Sequence, residues 1–175
     1  AFHQAVGAYI PDRLMEGYGP SGAALVKIGA AGSRLVVTVD CGAQAFEAIA
    51  EANAAGVEVI IVDHHQCATT LPAAFAVVNP NRLDEVADAA IHGNLAAVGV
   101  AFLLGAALLR TLRDRGFFQD RSEPALIDLL DLVALGTVAD VARLTGFNRA
   151  LVTQGLKIMA RRGNVGLAAL MDAAR

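Results

Sequence analysis

Tryptophan is missing from this 175-residue sequence, cysteine occurs only twice, and aromatic residues make up 5% of the chain. No apolar run approaches the roughly 20 residues needed to cross a bilayer, so no membrane partner is expected. Two thiols without metal-finger spacing do not make a disulfide framework, and the expected setting is a reducing cytoplasm. No basic stretch followed by an apolar one marks a secretory signal. Positive charge is not in excess either: 14 Lys and Arg stand against 17 Asp and Glu, a net charge of −3. That excludes polyanion binding by bulk electrostatics. Any contact with nucleic acid has to be local, through a metal site or a basic patch.

What is abundant is small and apolar. Hydrophobic residues reach 55%, carried mostly by Ala, Val and Leu, and the length suffices for one well-buried core. Ala1 to Gly7 reads as the last turn of a helix, with Gly7 a good terminating residue, and the expectation is of sequence upstream. Ala8-Tyr9-Ile10, stopped by Pro11, reads as an edge strand. After a loop rich in glycine (Gly17, Gly19, Gly22), Ala23–Ile28 is expected to be helical. Leu35–Val39 is almost wholly apolar and β-branched, the pattern of a strand buried on both faces. Ala43–Ala55 follows as a helix ended by Gly56, then strands at Val57–Val62 and Ala76–Val78. Strand, helix and strand at this spacing predict parallel pairing. A polar loop spans Asn81–Asn94, and beyond it the chain reads as helices over Leu95–Arg113, Pro124–Leu135 and Asn148–Ala160. The fold class is therefore α/β, a parallel sheet with flanking helices followed by a mostly helical stretch, packed as one domain or part of one.

Both of the best strands end in groups that hold metals. Leu35–Val39 runs into Asp40-Cys41-Gly42, and Val57–Val62 into Asp63-His64-His65. Ligands of open α/β sheets bind at the carboxyl ends of strands, and neighbouring strands lie about 4.8 Å apart. The two ends thus converge, and a mix of carboxylate and imidazole suits Mn²⁺, Zn²⁺ or Fe. Asp40 could instead cap the helix from Ala43. A His pair is costly to bury without partners. Farther on, Asp131 to Asp140 passes from a helix into a small-residue turn, where Asp140 is either a third carboxylate of the site or another cap.

These residues also carry a resemblance. Val62-Asp63-His64-His65 resembles the motif that names the DHH phosphoesterases, and Thr38-Val39-Asp40-Cys41-Gly42 the motif before it. Leu135-Gly136-Thr137-Val138-Ala139-Asp140-Val141 is similar to the family's fourth motif in its single-strand-specific exonucleases. The same branch is resembled by Pro11-Asp12-Arg13-Leu14-Met15-Glu16-Gly17-Tyr18-Gly19, Val78-Asn79-Pro80-Asn81, Val98-Gly99-Val100-Ala101-Phe102, and Asn148-Arg149 with Gln154-Gly155-Leu156. The resemblance implies a metal-dependent phosphodiesterase that degrades single-stranded DNA from the 5′ end with Mn²⁺ or Mg²⁺. It implies Asp40 as the carboxylate bridging two ions, His64 and Asp140 as further metal ligands, and His65 at the scissile phosphate or the metal site. Asp63 would orient a histidine, and Arg13 and Tyr18 are candidates for nucleic-acid contact. Residues 1–175 would then be a DHH domain shortened at its N-terminus, and the family's C-terminal domains would lie outside it. The family's first motif, with two aspartates, does not occur in the sequence, so an incomplete two-metal shell and little activity are expected. Ala142-Arg143 and Ala97 depart from the pattern without touching a ligand.

Two other classes compete: a DHH phosphohydrolase acting on oligonucleotides, cyclic dinucleotides or pyrophosphate, and a non-catalytic interaction module. Other residues read as bland. Cys41 and Cys67 are expected to be incidental thiols, and His3 and His92 surface residues. Arg110, Arg113, Arg115 and Arg121 are expected to form a solvated helix end.

Overall fold

The computed structural model describes residues 6–84 and 91–174. The chain divides into two compact units, Phe2–Gly93 and Asn94–Arg175.

The N-terminal unit is built on a parallel sheet of three strands, β1 (Leu35–Val39), β2 (Glu58–Val62) and β3 (Ala76–Val78), in the order β1-β2-β3. Its helices are α1 (Arg13–Glu16), α2 (Gly22–Ala30) and α3 (Phe46–Ala54). Val57, Val59 and Ile61 meet Leu25 of α2 and Ile49 and Ala52 of α3 in one cluster, each at most 2% exposed. Side chains alternate across a strand, so this one-sided packing fixes the register of β2 and leaves Asp63, two positions past Ile61, a residue of the same parity.

Three expectations need correction. Ala8–Ile10 forms no strand; it is exposed coil leading to Asp12, whose carboxylate accepts from the backbone N–H of Leu14 and Met15 and so starts α1. β1 is not buried on both faces: Thr38 is buried, whereas Leu35, Val37 and Val39 are 49%, 49% and 56% exposed. A run of apolar residues shows that a strand is present but not how many layers cover it. The helix after β1 begins at Phe46 instead of Ala43, and its N-cap residue is Ala45, so Asp40 does not cap it. The part of the N-terminal helix expected over Ala1–Ala5, His3 with it, and residues 85–90 of the polar loop lie outside the described residues.

The C-terminal unit is helical: α4 (Ala97–Asp114), a 3₁₀ turn over Leu126–Leu129, α5 (Leu130–Ala139), α6 (Gly146–Met159) and α7 (Val165–Ala173). The small-residue turn expected before Asp140 is instead the continuation of α5. Its small residues serve packing: a Cβ on Gly136 would lie 2.8 Å from Val98 Cγ1 of α4. Arg113 pairs with Glu123 and Arg121 lies over the Phe117 ring, 4.2 Å from its centroid. His92 is half-buried, not a surface residue. Among the described residues no helix is long and apolar enough to cross a membrane.

α5 and α6 pack closely at Gly155. A Cβ there would stand 2.1 Å from the Leu130 carbonyl oxygen and 2.5 Å from Ala134 Cβ. Alanine in mid-helix ordinarily gains about 1 kcal/mol over glycine, while overpacking costs about 1–3 kcal/mol. Because the obstacle is backbone, the clash wins. Gly155→Ala should lower stability by up to about 2 kcal/mol net, read as a lower urea midpoint with an unchanged slope; an equal or higher midpoint would contradict this packing.

Candidate metal centre

The sheet brings the site together by register. Val39 is level with Val62, and Val62 with Val78. The ladder continues one residue past the strands, with Asp40 N–H donating to the Val62 carbonyl (3.0 Å) and Asp63 N–H to the Val78 carbonyl (3.1 Å). Asp40, Asp63 and Asn79 therefore leave the sheet side by side.

Asp63 is 1% exposed. Its Oδ1 accepts from His64 N–H (2.8 Å), His65 N–H (3.3 Å) and His65 Nδ1 (2.7 Å), and its Oδ2 from Ala43 N–H (2.9 Å). Burial by itself would raise this carboxyl, but the donors from Ala43, His65 and His64 outweigh it and hold it below its ordinary value. An ionised Asp63 requires the proton of His65 on Nδ1, which leaves Nε2, 3.5 Å from the Tyr18 hydroxyl, as the acceptor nitrogen. Its acceptor positions are so occupied that it fits an orienting role better than a ligand's.

Asp40 and His64 face each other directly. His64 Nε2 lies 3.1 Å from Asp40 Oδ1, with His64 mostly buried and Asp40 open to solvent. One ligand atom each from Asp40, Asp63, His64 and His65 falls within 4.8 Å of the others. Asp40 has φ = 62°, a left-handed backbone that costs an L-residue about 1–2 kcal/mol. The hydroxyl of Tyr18 donates to the Asp40 carbonyl, lies 3.4 Å from His65 Nδ1, and its ring meets the His65 ring edge-on at 5.9 Å. Burial, and after it the charges of Asp40 and Asp63, push the Tyr18 phenol up to about 12. Arg13 lies 5.6 Å from the centroid of the same ring.

Sequence reasoning quoted Asn79 and Asn81 but gave them no role. Asn79 Nδ2 donates to the His65 carbonyl (2.9 Å) and Asn81 Nδ2 to the His64 carbonyl (2.6 Å), so the end of β3 clamps the histidine loop from behind. The available signal was an Asn-Pro-Asn run directly after a strand level with the site. Gly42 is equally constrained, since at φ = 112° a Cβ would stand 2.9 Å from Thr38 Oγ1. Cys41 is raised to about 11 by burial and then by Asp63 and Asp40, and burial likewise raises Cys67.

Asp140 belongs to the C-terminal unit. It is exposed at the C-cap of α5, and α6 begins later, with Thr145 at its N-cap. Asp140 therefore caps no helix start, and a carboxylate at a helix C-terminus opposes the macrodipole at about 0.3–1 kcal/mol.

The depressed Asp63 carboxyl has a consequence for acid stability. A group whose folded pKa is lowered contributes stability that is full above its ordinary value, near ~4, and lost as pH falls through the folded value. Asp63→Asn should cost about 2–3 kcal/mol at neutral pH, because bonds to a charged acceptor are removed from a buried position. Denaturation across a pH series should show the gap between the two proteins closing below about pH 4. A gap independent of pH would mean that Asp63 is not ionised in the fold.

The chain matches the DHH family, N-terminal domain, over residues 2–137. It is 44% identical over 167 residues to the single-stranded-DNA-specific exonuclease RecJ of Dickeya dadantii, covering 93% of this chain and 28% of that protein. The RecJ of Escherichia coli is 44% identical (94% of this chain, 29% of the relative), and that of Thermus thermophilus 38% (96% and 23%). A crystal structure of exonuclease RecJ bound to manganese superposes with a TM-score of 0.75 at 38% identity, over 94% of this chain and 39% of that one. The chain thus spans less than a third of these curated relatives, and with them it belongs to the DHH family.

Proposed function

We propose that this chain is the metal-holding part of a DHH phosphoesterase that hydrolyses single-stranded DNA from the 5′ end, with Mn²⁺ or Mg²⁺ as cofactor. The observation that carries the reading is the facing of Asp40 and His64 at 3.1 Å, at the carboxyl ends of adjacent parallel strands, with Asp63 and His65 beside them. The donor set fits a divalent transition metal: a carboxylate oxygen and an imidazole nitrogen, aimed at each other and backed by hydrogen-bonded partners. Asp40, His64 and Asp140 are the proposed ligands. Such ions, when bound, neutralise the phosphodiester, activate water and stabilise the leaving oxygen.

The chain's own residues have separable tasks in this reading. Asp63 fixes the His65 tautomer, and His65 presents Nε2 toward the phosphate or the metal site. Arg13 and Tyr18, stacked at the rim, are proposed to contact the nucleic acid, with the Tyr18 hydroxyl turned inward and the ring and guanidinium left outside. Residues 1–175 are proposed as one DHH domain, which is supported by a family match that runs across the boundary at Gly93. The names of the relatives, all single-stranded-DNA-specific exonucleases, support the substrate class.

Calorimetric titration with Mn²⁺ tests the centre. Without the two aspartates of the family's first motif, the chain should bind one ion weakly, and His64→Ala should abolish the binding. Coordination requires the neutral imidazole, so affinity should fall as pH is lowered. Equal binding by the two proteins would remove His64 from the ligand set, and two tight sites would show that the proposed set is too small. In the same preparation, degradation of 5′-labelled single-stranded DNA should be slight.

A further inference from the structure

The acidic overall charge conceals a polarised chain. Residues 141–171 hold five of the 14 basic residues (Arg143, Arg149, Lys157, Arg161, Arg162) and none of the 17 acidic ones, a local +5 against −8 for the remainder. α6 runs through the middle of this segment. Asn148, Leu151, Val152 and Gly155 are its buried residues, the i, i+3, i+4, i+7 stripe of a helix packed on one side. Arg149 and Lys157 project from the other side, and Arg161 follows just past the end of the helix; all three are exposed. At 1.5 Å per residue they span about 18 Å.

No ordinary explanation covers the whole of this face. Surface helices ordinarily intersperse both signs, and here one sign is absent. Ion pairing accounts for Arg162, held by Asp172 at 2.5 Å, but among the described residues no carboxylate pairs with Arg149, Lys157 or Arg161. Favourable placement at a helix C-terminus would explain Lys157 and Arg161, but Arg149 is in the first turn, where a cation opposes the macrodipole. The arginines around the end of α4 make the contrast. They are interleaved with Asp114, Asp120 and Glu123, and Arg113 is already paired with Glu123.

We propose that the exposed face of α6, through Arg149, Lys157 and Arg161, is a docking track for the phosphate backbone of single-stranded nucleic acid. Unpaired cations in a row suit a repeating anion, and contacts to phosphates carry no base sequence, as an enzyme indifferent to sequence requires. The choice of nucleic acid over other polyanions rests on the function proposed above; the track itself rests on the charge pattern.

Fluorescence anisotropy of a labelled oligothymidylate, in EDTA and across a salt series, tests it with the metal centre silent. Replacing Arg149, Lys157 and Arg161 together by Gln should weaken binding about tenfold at low salt and flatten the log–log salt slope by about 2, at roughly 0.7 per phosphate contact. Arg162→Gln should leave both unchanged. The pair Arg149→Lys and Arg161→Lys should keep the wild-type slope. If the triple variant does not fold, Arg149→Gln alone should still flatten the slope by about 0.7. The proposal is overturned if the slope survives neutralisation, if the wild type shows no salt-dependent binding, or if polyglutamate or phosphatidylglycerol vesicles bind more tightly than the oligonucleotide. The Mn²⁺ isotherm of the triple variant should match wild type; loss of Mn²⁺ binding in His64→Ala leaves the track untouched, so the two readings fail separately.

Discussion

The buried carboxylate of Asp63 organises the N-terminal unit's site more than any group that faces solvent. Placing an ionised carboxyl at 1% exposure costs several kcal/mol in desolvation. The penalty is met by four donors from Ala43, His64 and His65, each bond to a charged acceptor contributing roughly 1.5–3 kcal/mol. The bonds win, and the carboxyl is depressed instead of raised. Much else follows. Ala43 N–H donates to Asp63, which ties the loop after β1 to the end of β2, and α3 starts three residues later, at Phe46. The loop after β1 is drawn over the end of β2, and Gly42 has to pass Thr38 and Ile61 where no Cβ fits. His65 is held in one tautomer by its Nδ1 bond to Asp63.

This explains which parts of the fold were legible in the sequence. β2 and β3 are short β-branched runs whose boundaries local pattern almost fixes, and β3 was read at Ala76–Val78 as it stands. β1 was located correctly and its burial misjudged, because Leu-Val-Val-Thr-Val alternates only in environment, not in composition. Ala8–Ile10 has strand-like residues, but strand formation requires a neighbour to accept its hydrogen bonds, and composition carries no information on that. The start of α3 was misplaced because Ala43–Ala45 have helix-forming composition, while the loop they belong to is tied at Ala43 to Asp63, 20 residues downstream. Gly136 suggested a turn at the end of α5, whereas its smallness serves the approach to Val98.

The candidate site was legible to the extent that its side chains sit at strand ends. Asp40 and His64 were paired by reasoning about parallel neighbours, and the structure places them in contact. Asn79 and Asn81 escaped because they act on backbone carbonyls of His64 and His65, a relation with no signature in residue type. Tyr18 was noticed for a surface role, yet its hydroxyl reaches the Asp40 carbonyl, and only the folded loop reveals that direction. Asp140 lies in the other compact unit, and its role stays with the family resemblance.

Two carboxylates proposed as ligands occupy positions that folding alone does not favour. Asp40 holds a left-handed backbone at φ = 62°, and Asp140 ends α5 where the helix dipole repels it. Each costs on the order of 1 kcal/mol, a noticeable fraction of a domain's net stability. Neither cost is offset by capping: α3 starts at an Ala45 cap and α6 at Thr145, both without a side-chain bond. By contrast, Asp12 and Asn164, which have no part in the site, do cap helices. The backbone of Asp40 is held instead by its neighbours in the N-terminal unit, its N–H by the Val62 carbonyl and its own carbonyl by the Tyr18 hydroxyl.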